Sequence, residues 1–215
     1  MSSAEFGGMA ANDGPVAIRA LAYAARLVRE ARQLPRYGIT VGEFALQYDE
    51  LLARVGEVVH DVRARSPLRE RIDALGVTVY ERVGAARFVD PHTIETERGP
   101  RLRADKLIIC TGGVNRRLAV PGFELTRTHS DVWALTAVPA SMLVVGAGST
   151  GVQIASMFHA FGTRVELFER GPQILPSEDE ELVAAVAGEL RSSGVVVHER
   201  FGAIESSERP RRGCE

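Results

Sequence analysis

Apolar residues recur along this chain with two different periods, and the order in which those periods alternate predicts an α/β fold. Ile18, Leu21, Ala24 or Ala25, Val28 and Ala31 fall at helical spacing. Asn12-Asp13-Gly14-Pro15 opens this helix, with Asn12 or Asp13 as the cap and Pro15 tolerated in the first turn; Pro35 stops it. A second helical pattern runs through Val41, Phe44, Ala45, Tyr48, Leu51, Leu52, Val55, Val58, Val59 and Val62. Ser66-Pro67 restarts or kinks it, and Gly76 ends it. The period then changes to two. Residues 77–81, 86–89 and 93–97 read as short strands, with Asp90-Pro91 as a turn between two of them. Residues 107–110 form an apolar run that reads as a buried strand leading into Thr111-Gly112-Gly113.

Residues 114–122 read as a connector ending in the turn dipeptide Pro121-Gly122, and residues 123–138 as a linker with one short helix around 131–135. An apolar strand over 142–145 follows, then a glycine turn, then a helix carrying Val152, Ile154, Ala155 and Phe158. Residues 165–168 form the next strand, closing on Glu169. A further helix is expected to start at Ser177, with Glu180 three residues on as a capping box, and to stop before Gly194. Residues 195–197 read as the third strand. The ends, residues 1–11 and 206–215, are unpatterned and read as loop or disordered chain.

Composition narrows the class. The chain has 215 residues, 45% hydrophobic and 25% charged, as in ordinary globular proteins. A formal net charge of -2 supplies no basic field for nucleic acid or an anionic membrane. No apolar run approaches the length of a membrane span, and the first residues lack the basic and apolar regions of a signal peptide. Cys110 and Cys214 form no CxxC and sit beside no metal-ligand partners, which fits a reducing, cytoplasmic setting. Cys110, inside an apolar run, reads as a small buried hydrophobe rather than a redox thiol. Cys214, Arg211 and Arg212 read as a solvated tail. The histidines at 60, 92, 129, 159 and 198 are scattered, with no pairing at catalytic or ligand spacing, and His159 reads as packing or surface.

The candidate chemistry lies in Gly146-Ala147-Gly148-Ser149-Thr150-Gly151. Strand, glycine turn, helix, strand and acid follow in the order that a dinucleotide-binding unit needs. In such a unit the first glycine makes the tight turn, the second admits the pyrophosphate close to the backbone, and the third lets helix and strand pack closely. The helix N-terminus offers unpaired N–H groups and the positive end of its dipole to the phosphates. Glu169 lies about twenty positions beyond Gly146, the spacing of an acid that accepts the ribose hydroxyls. Its carboxylate would repel a 2′-phosphate, which favours NAD; Arg170 beside it is the argument for NADP.

Taken together, Asn12-Asp13-Gly14 before an alanine-rich helix, residues 107–113 with Pro121-Gly122 after them, and residues 144–170 resemble the flavin-dependent pyridine nucleotide–disulfide oxidoreductases. The resemblance covers roughly residues 9–205, in the manner of dihydrolipoamide dehydrogenase and mercuric reductase. It implies a Rossmann-like fold with two dinucleotide-binding domains. Residues 1–137 would be part of an FAD-binding domain and 138–205 the first half of an NAD(P)-binding domain, with 206–215 as tail. It also implies that Thr111 and Gly112 meet the flavin and that the backbone near Ala86 touches adenine, whereas from spacing alone Thr111-Gly112 is equally an ordinary strand-to-loop turn. Gly146, Gly148, Ser149, Thr150, Gly151, Glu169 and Arg170 would hold the pyridine nucleotide.

The departures are as informative. The family's Cys-x4-Cys pair passes electrons from flavin to substrate, but its two positions here hold Ala10 and Pro15, neither able to form a thiolate. The resemblance therefore implies a piece of a longer enzyme, trimmed at both ends, without the FAD fingerprint and without the domain through which the family dimerises. No catalytic residue is assigned. Three readings stand: an NAD(P)- and FAD-dependent oxidoreductase fragment, a non-catalytic nucleotide-binding or degenerate fragment without flavin, and a flavoprotein that passes electrons directly to a small acceptor such as a quinone, oxygen or a dye.

Overall fold

The computed structural model describes residues 15–40, 42, 45–64, 68–113, 115 and 117–202. Ala10, Asn12 to Gly14, Val41, Phe44, Ser66-Pro67, Val114, Arg116 and the tail with Cys214 lie outside the described residues. The described chain falls into two compact units, one made of residues 15–16 and Val59–Arg116, the other of Ala17–Val58 and the chain from Arg117 onward.

Helix α1, Pro15–Gln33, belongs almost wholly to the second unit and buries Ala17, Ile18, Leu21, Ala25 and Val28 along one stripe. Pro35 does not simply stop it. A 3-10 turn, Leu34–Tyr37, follows directly and closes on Gly38 at φ 74°. The next helix, α2, is Tyr48–Ala64 and starts later than the apolar period predicts; residues 45–47 are not helical. Asp49 and Glu50 in its first turn face the positive end of the helix dipole, which favours a start at Tyr48. Tyr48 packs edge-on to Phe161 with ring centres 6.3 Å apart. Burial pushes its phenol pKa up, and its hydroxyl finds no partner among the described residues.

In the first unit, helix α3, Leu68–Ala74, ends in a left-handed Gly76 at φ 66°. Gly76 N–H donates to Asp73 O and Val77 N–H to Ile72 O, the paired bonds of a Schellman closure. That closure explains a failed expectation. Residues 77–81 form no strand: Val77 spends its N–H on the helix, and Val77 and Tyr80 stay about half exposed. The small antiparallel sheet is instead β1 (Ala86–Asp90), β2 (Thr93–Thr96) and β3 (Leu102–Arg103), in that order. Asp90 accepts from His92 N–H at 2.8 Å, which shapes the predicted Asp90-Pro91 turn.

The run at 107–110 is a second correction. It pairs with no described strand, Ile108 is 88% exposed, and Cys110 is an exposed free thiol rather than a buried one. Apolar runs of this kind suit strands of parallel sheets, which need a ladder partner and cover on both faces. The described residues supply neither.

The second unit's sheet is parallel. β4 (Ser141–Val145), β5 (Arg164–Phe168) and β6 (Val196–His198) lie with β5 in the middle. Helix α4, Ser149–Phe161, connects β4 to β5, and α5, Glu180–Ser193, connects β5 to β6. This is the β-α-β-α-β half of a mononucleotide-binding fold. Its core is Ile154, Ala155, Met157, Phe158, Val165, Leu167, Ile174, Val183, Ala187, Leu190 and Val195. Each large apolar side chain buried there contributes about 1.5–3 kcal/mol.

Two boundaries in this half differ from the sequence pattern. The strand predicted from Val195 begins at Val196, because Val195 N–H donates to Leu190 O in the closure around Gly194. Helix α5 is capped by Asp179, whose carboxylate accepts from Leu182 N–H at 2.9 Å, not by Ser177. Asp179→Ala is therefore expected to lower the urea unfolding free energy by about 1 kcal/mol, with Ser177→Ala near zero. The short helix expected around 131–135 is a 3-10 helix, His129–Ala134, opened by a Thr128–Asp131 capping box, and a second 3-10 turn, Phe123–Leu125, precedes it. No helix among the described residues is long and apolar enough to cross a membrane.

Candidate nucleotide-binding site

The site grows out of the end of β4. Gly146 takes φ +94°, a left-handed conformation that a side chain resists, and turns the chain out of the strand. Its N–H donates to Phe168 O at 2.8 Å, tying the turn to the neighbouring strand. Gly151 sits where the first helical turn crosses back: a Cβ there would lie 1.9 Å from Gly146 O. Gly148 is the opposite case: a Cβ there would meet nothing within 4 Å. It is also the N-cap of α4, and no side chain caps that helix. The amides of Ser149, Thr150 and Gly151 therefore stand as first-turn donors beside open space.

Glu169 closes the other side. Its Oε2 accepts from Ala147 N–H at 2.9 Å and its Oε1 from Gly171 N–H at 2.7 Å. One carboxylate thus clips the glycine turn to the loop that follows β5. The backbone reinforces the clip, with Glu169 N–H donating to His198 O at 2.8 Å and Leu175 N–H to Ala147 O at 2.7 Å. Leu175 holds φ +47°, a strained value for a bulky residue, while its side chain is buried. Nothing in the sequence signals Leu175, since only the closed loop forces that backbone. Arg170 is exposed beside Glu169.

The structure thus brings Gly146, Gly148, Ser149, Thr150, Gly151 and Glu169 into one turn, with Arg170 at its edge. Ala86 on β1 and Thr111 and Gly112 lie in the first unit, all exposed, and Gly112 at φ +73° has open space around it. An open helix N-terminus with an adjacent acid fits a pyridine nucleotide. The exposed Thr111-Gly112 turn encloses nothing that fits a flavin among the described residues. The histidines gather no metal set among the described residues. His198 does have a partner, Glu166 Oε2 at 2.9 Å, and stacks on Phe168 at 4.4 Å. That contact braces the β5–β6 edge; a spacing rule along the chain cannot see it.

Comparison with known proteins agrees with this geometry. The pyridine nucleotide-disulphide oxidoreductase family matches residues 5–209. A dihydrolipoyl dehydrogenase from Zymomonas mobilis is 30% identical over 200 residues, covering 88% of this chain and 41% of that protein. A soluble pyridine nucleotide transhydrogenase from Mycobacterium bovis is 34% identical over 207 residues, covering 91% and 42%. The structure of the HOCl-induced flavoprotein disulfide reductase RclA from Escherichia coli superposes with a TM-score of 0.69 at 24% identity, covering 95% of this chain and 43% of that one. The chain belongs to the pyridine nucleotide–disulphide oxidoreductase family, and its fold is Rossmann-like α/β. That family uses FAD and a pyridine nucleotide and is generally homodimeric. The chain spans about two-fifths of the length of the curated relatives it matches.

Proposed function

We propose that this chain is the pyridine nucleotide-holding part of an oxidoreductase. Residues 146–151 receive the pyrophosphate, Glu169 accepts the ribose hydroxyls, and NAD is preferred to NADP. In the whole protein the nucleotide would deliver hydride to FAD, which passes electrons to a small-molecule acceptor; Thr111, Gly112 and Ala86 would then belong to the flavin side of a cytoplasmic homodimer. The observation that carries the reading is the space at Gly148 before an uncapped helix, with the Glu169 carboxylate bonded to the same turn. Neither nucleic acid nor a membrane is needed by it. Titrating the chain with NADH and NADPH and following nicotinamide fluorescence tests it: saturable NADH binding tighter than NADPH binding is expected. No saturable signal with either nucleotide overturns it.

A second reading, nucleotide binding without bound flavin and without catalysis, is favoured by the exposure of Ile108, Ile109 and Cys110. The visible absorption spectrum of the purified chain separates the two. Flavin bands near one equivalent, with NADH-dependent dye reduction, support the oxidoreductase; a colourless protein that still binds NADH supports the second. Pro15 at the head of α1 excludes a thiol at that position, so any onward electron transfer here runs without the family's dithiol.

A further inference from the structure

A second cleft lies in the same unit, sharing no residue with the glycine turn. It is a cleft of ≈ 370 Å³ lined by Arg29 and Arg32 of α1, Ser156 and His159 of α4, and Glu189 and Ser193 of α5. Arg29 and Arg32 are three positions apart, so they share one helical face. Arg29 Nη1 donates to Ser156 O at 3.4 Å and to Ser156 Oγ at 3.3 Å. Both contacts are long and made to neutral partners, which leaves most of the guanidinium's five donors unused. The Arg32 side chain has no hydrogen bond or ion pair among the described residues. Because Ser156 Oγ accepts from Arg29, its own O–H is free to donate.

The opposite wall is fixed by His159. Ser193 O can only accept, so His159 Nε2 carries the proton and donates across 2.7 Å. Nδ1, on the other side of the ring, is buried without a partner among the described residues. This bond ties the last turn of α4 to the last turn of α5, making His159 a positioning residue for the cleft. Glu189 is the cleft's one carboxylate against two guanidinium groups, and it pairs with neither. The surplus charge is positive.

We propose that this cleft binds a small oxyanion, a phosphate or carboxylate group, between the Arg29 and Arg32 guanidiniums with the Ser156 hydroxyl as a third donor. Arg29 and Arg32 are both exposed. Planar guanidinium forks match such groups bidentately, and two of them on one helical face beside a cleft offer an anion paired donors that a single surface charge lacks. Glu189 at the rim sets a limit on anion charge through repulsion. The proposal stands independently of nucleotide binding at Gly148.

Nuclear magnetic resonance of the ¹⁵N-labelled full chain tests it, with inorganic phosphate in one titration and succinate in the other, at constant ionic strength. Saturable shifts of the Ser156, Glu189 and Ser193 amides are expected with at least one probe. Saturation by phosphate alone assigns a phosphate ligand, and by succinate alone a carboxylate. The amides of residues 149–151 report the nucleotide turn separately. Arg29→Gln with Arg32→Gln should raise the dissociation constant about tenfold or more, while Arg29→Lys with Arg32→Lys, which keeps charge and bulk, should raise it less. Glu189→Gln should lower it. Shifts that never saturate, that stay confined to residues 146–151, or that are unchanged in both double variants overturn the proposal.

Discussion

Gly151→Ala is expected to destroy nucleotide binding and to lower stability together, whereas Gly148→Ala is expected to destroy binding alone. The two glycines sit three residues apart in one turn, yet their surroundings are opposite. A Cβ on Gly151 would lie 1.9 Å from Gly146 O and 3.0 Å from Gly146 C. These are backbone atoms, so no side-chain rotation relieves the clash. Gly146 in turn is pinned at φ +94° and by its bond to Phe168 O. The helix must move away from the strand, breaking the packing of Ile154, Ala155 and Phe158 on the sheet. Overpacking costs about 1–3 kcal/mol where neighbours can adjust, and backbone contacts put this case at the upper end or beyond. A Cβ on Gly148 would meet no atom within 4 Å, and its φ of -70° is ordinary. Alanine there fits the fold and fills the space where the pyrophosphate must approach the helix amides. Urea unfolding followed by circular dichroism, beside NADH titration, reads both quantities. NADH affinity should fall about a hundredfold or more in each variant, as expected for about 3 kcal/mol of lost phosphate contact. The unfolding midpoint should move only for Gly151→Ala. Equal stability losses in the two variants would show that the turn is not built as described.

The contrast explains why this turn was legible in the sequence when other segments were not. A glycine fingerprint reports backbone geometry, which few residue types can satisfy, so Gly146, Gly148 and Gly151 carry their meaning locally. The helices are legible for a related reason. In α1 the apolar stripe matches the residues that become buried, Ile18, Leu21, Ala25 and Val28, whereas in α2 the predicted stripe begins before the helix does and ends on an exposed Val62. Misreadings arise wherever an outcome depends on a distant partner. Residues 107–110 have a strand's composition but no described ladder to join. Val77 and Val195 look like strand starts, yet each gives its N–H to a helix closure set by the glycine before it. Ser177 and Asp179 are both competent caps, and only the position of the first helical bond chooses between them. The clip formed by Glu169 was likewise invisible. Its spacing announces a ribose acceptor; its two backbone bonds emerge only when β4 and β5 lie side by side.

That clip gives Glu169→Gln a double effect. The carboxylate offers about four lone-pair positions, enough to keep the Ala147 and Gly171 amides while also accepting from the ribose hydroxyls. Glutamine has one oxygen and one NH₂. It can satisfy one of the two amides, and turns a donor toward the other. One N–H left unpaired in a half-buried turn costs about 1–3 kcal/mol, so the unfolding free energy should drop by that order. NADH binding should weaken at least about tenfold from the lost ribose acceptor. NADPH should suffer less, because the negative charge that repels its 2′-phosphate is gone while Arg170 remains to pair with it. The preference for NADH over NADPH should therefore shrink about tenfold, a change in ratio that loosening of the turn alone cannot produce. Glu169→Asp separates the two roles: the charge survives, but the shorter side chain cannot reach both amides. It should keep discriminating against NADPH while losing stability. A Gln variant that weakens both nucleotides equally would assign Glu169 to the architecture of the turn only. A shifted ratio makes it both the clip and the selector.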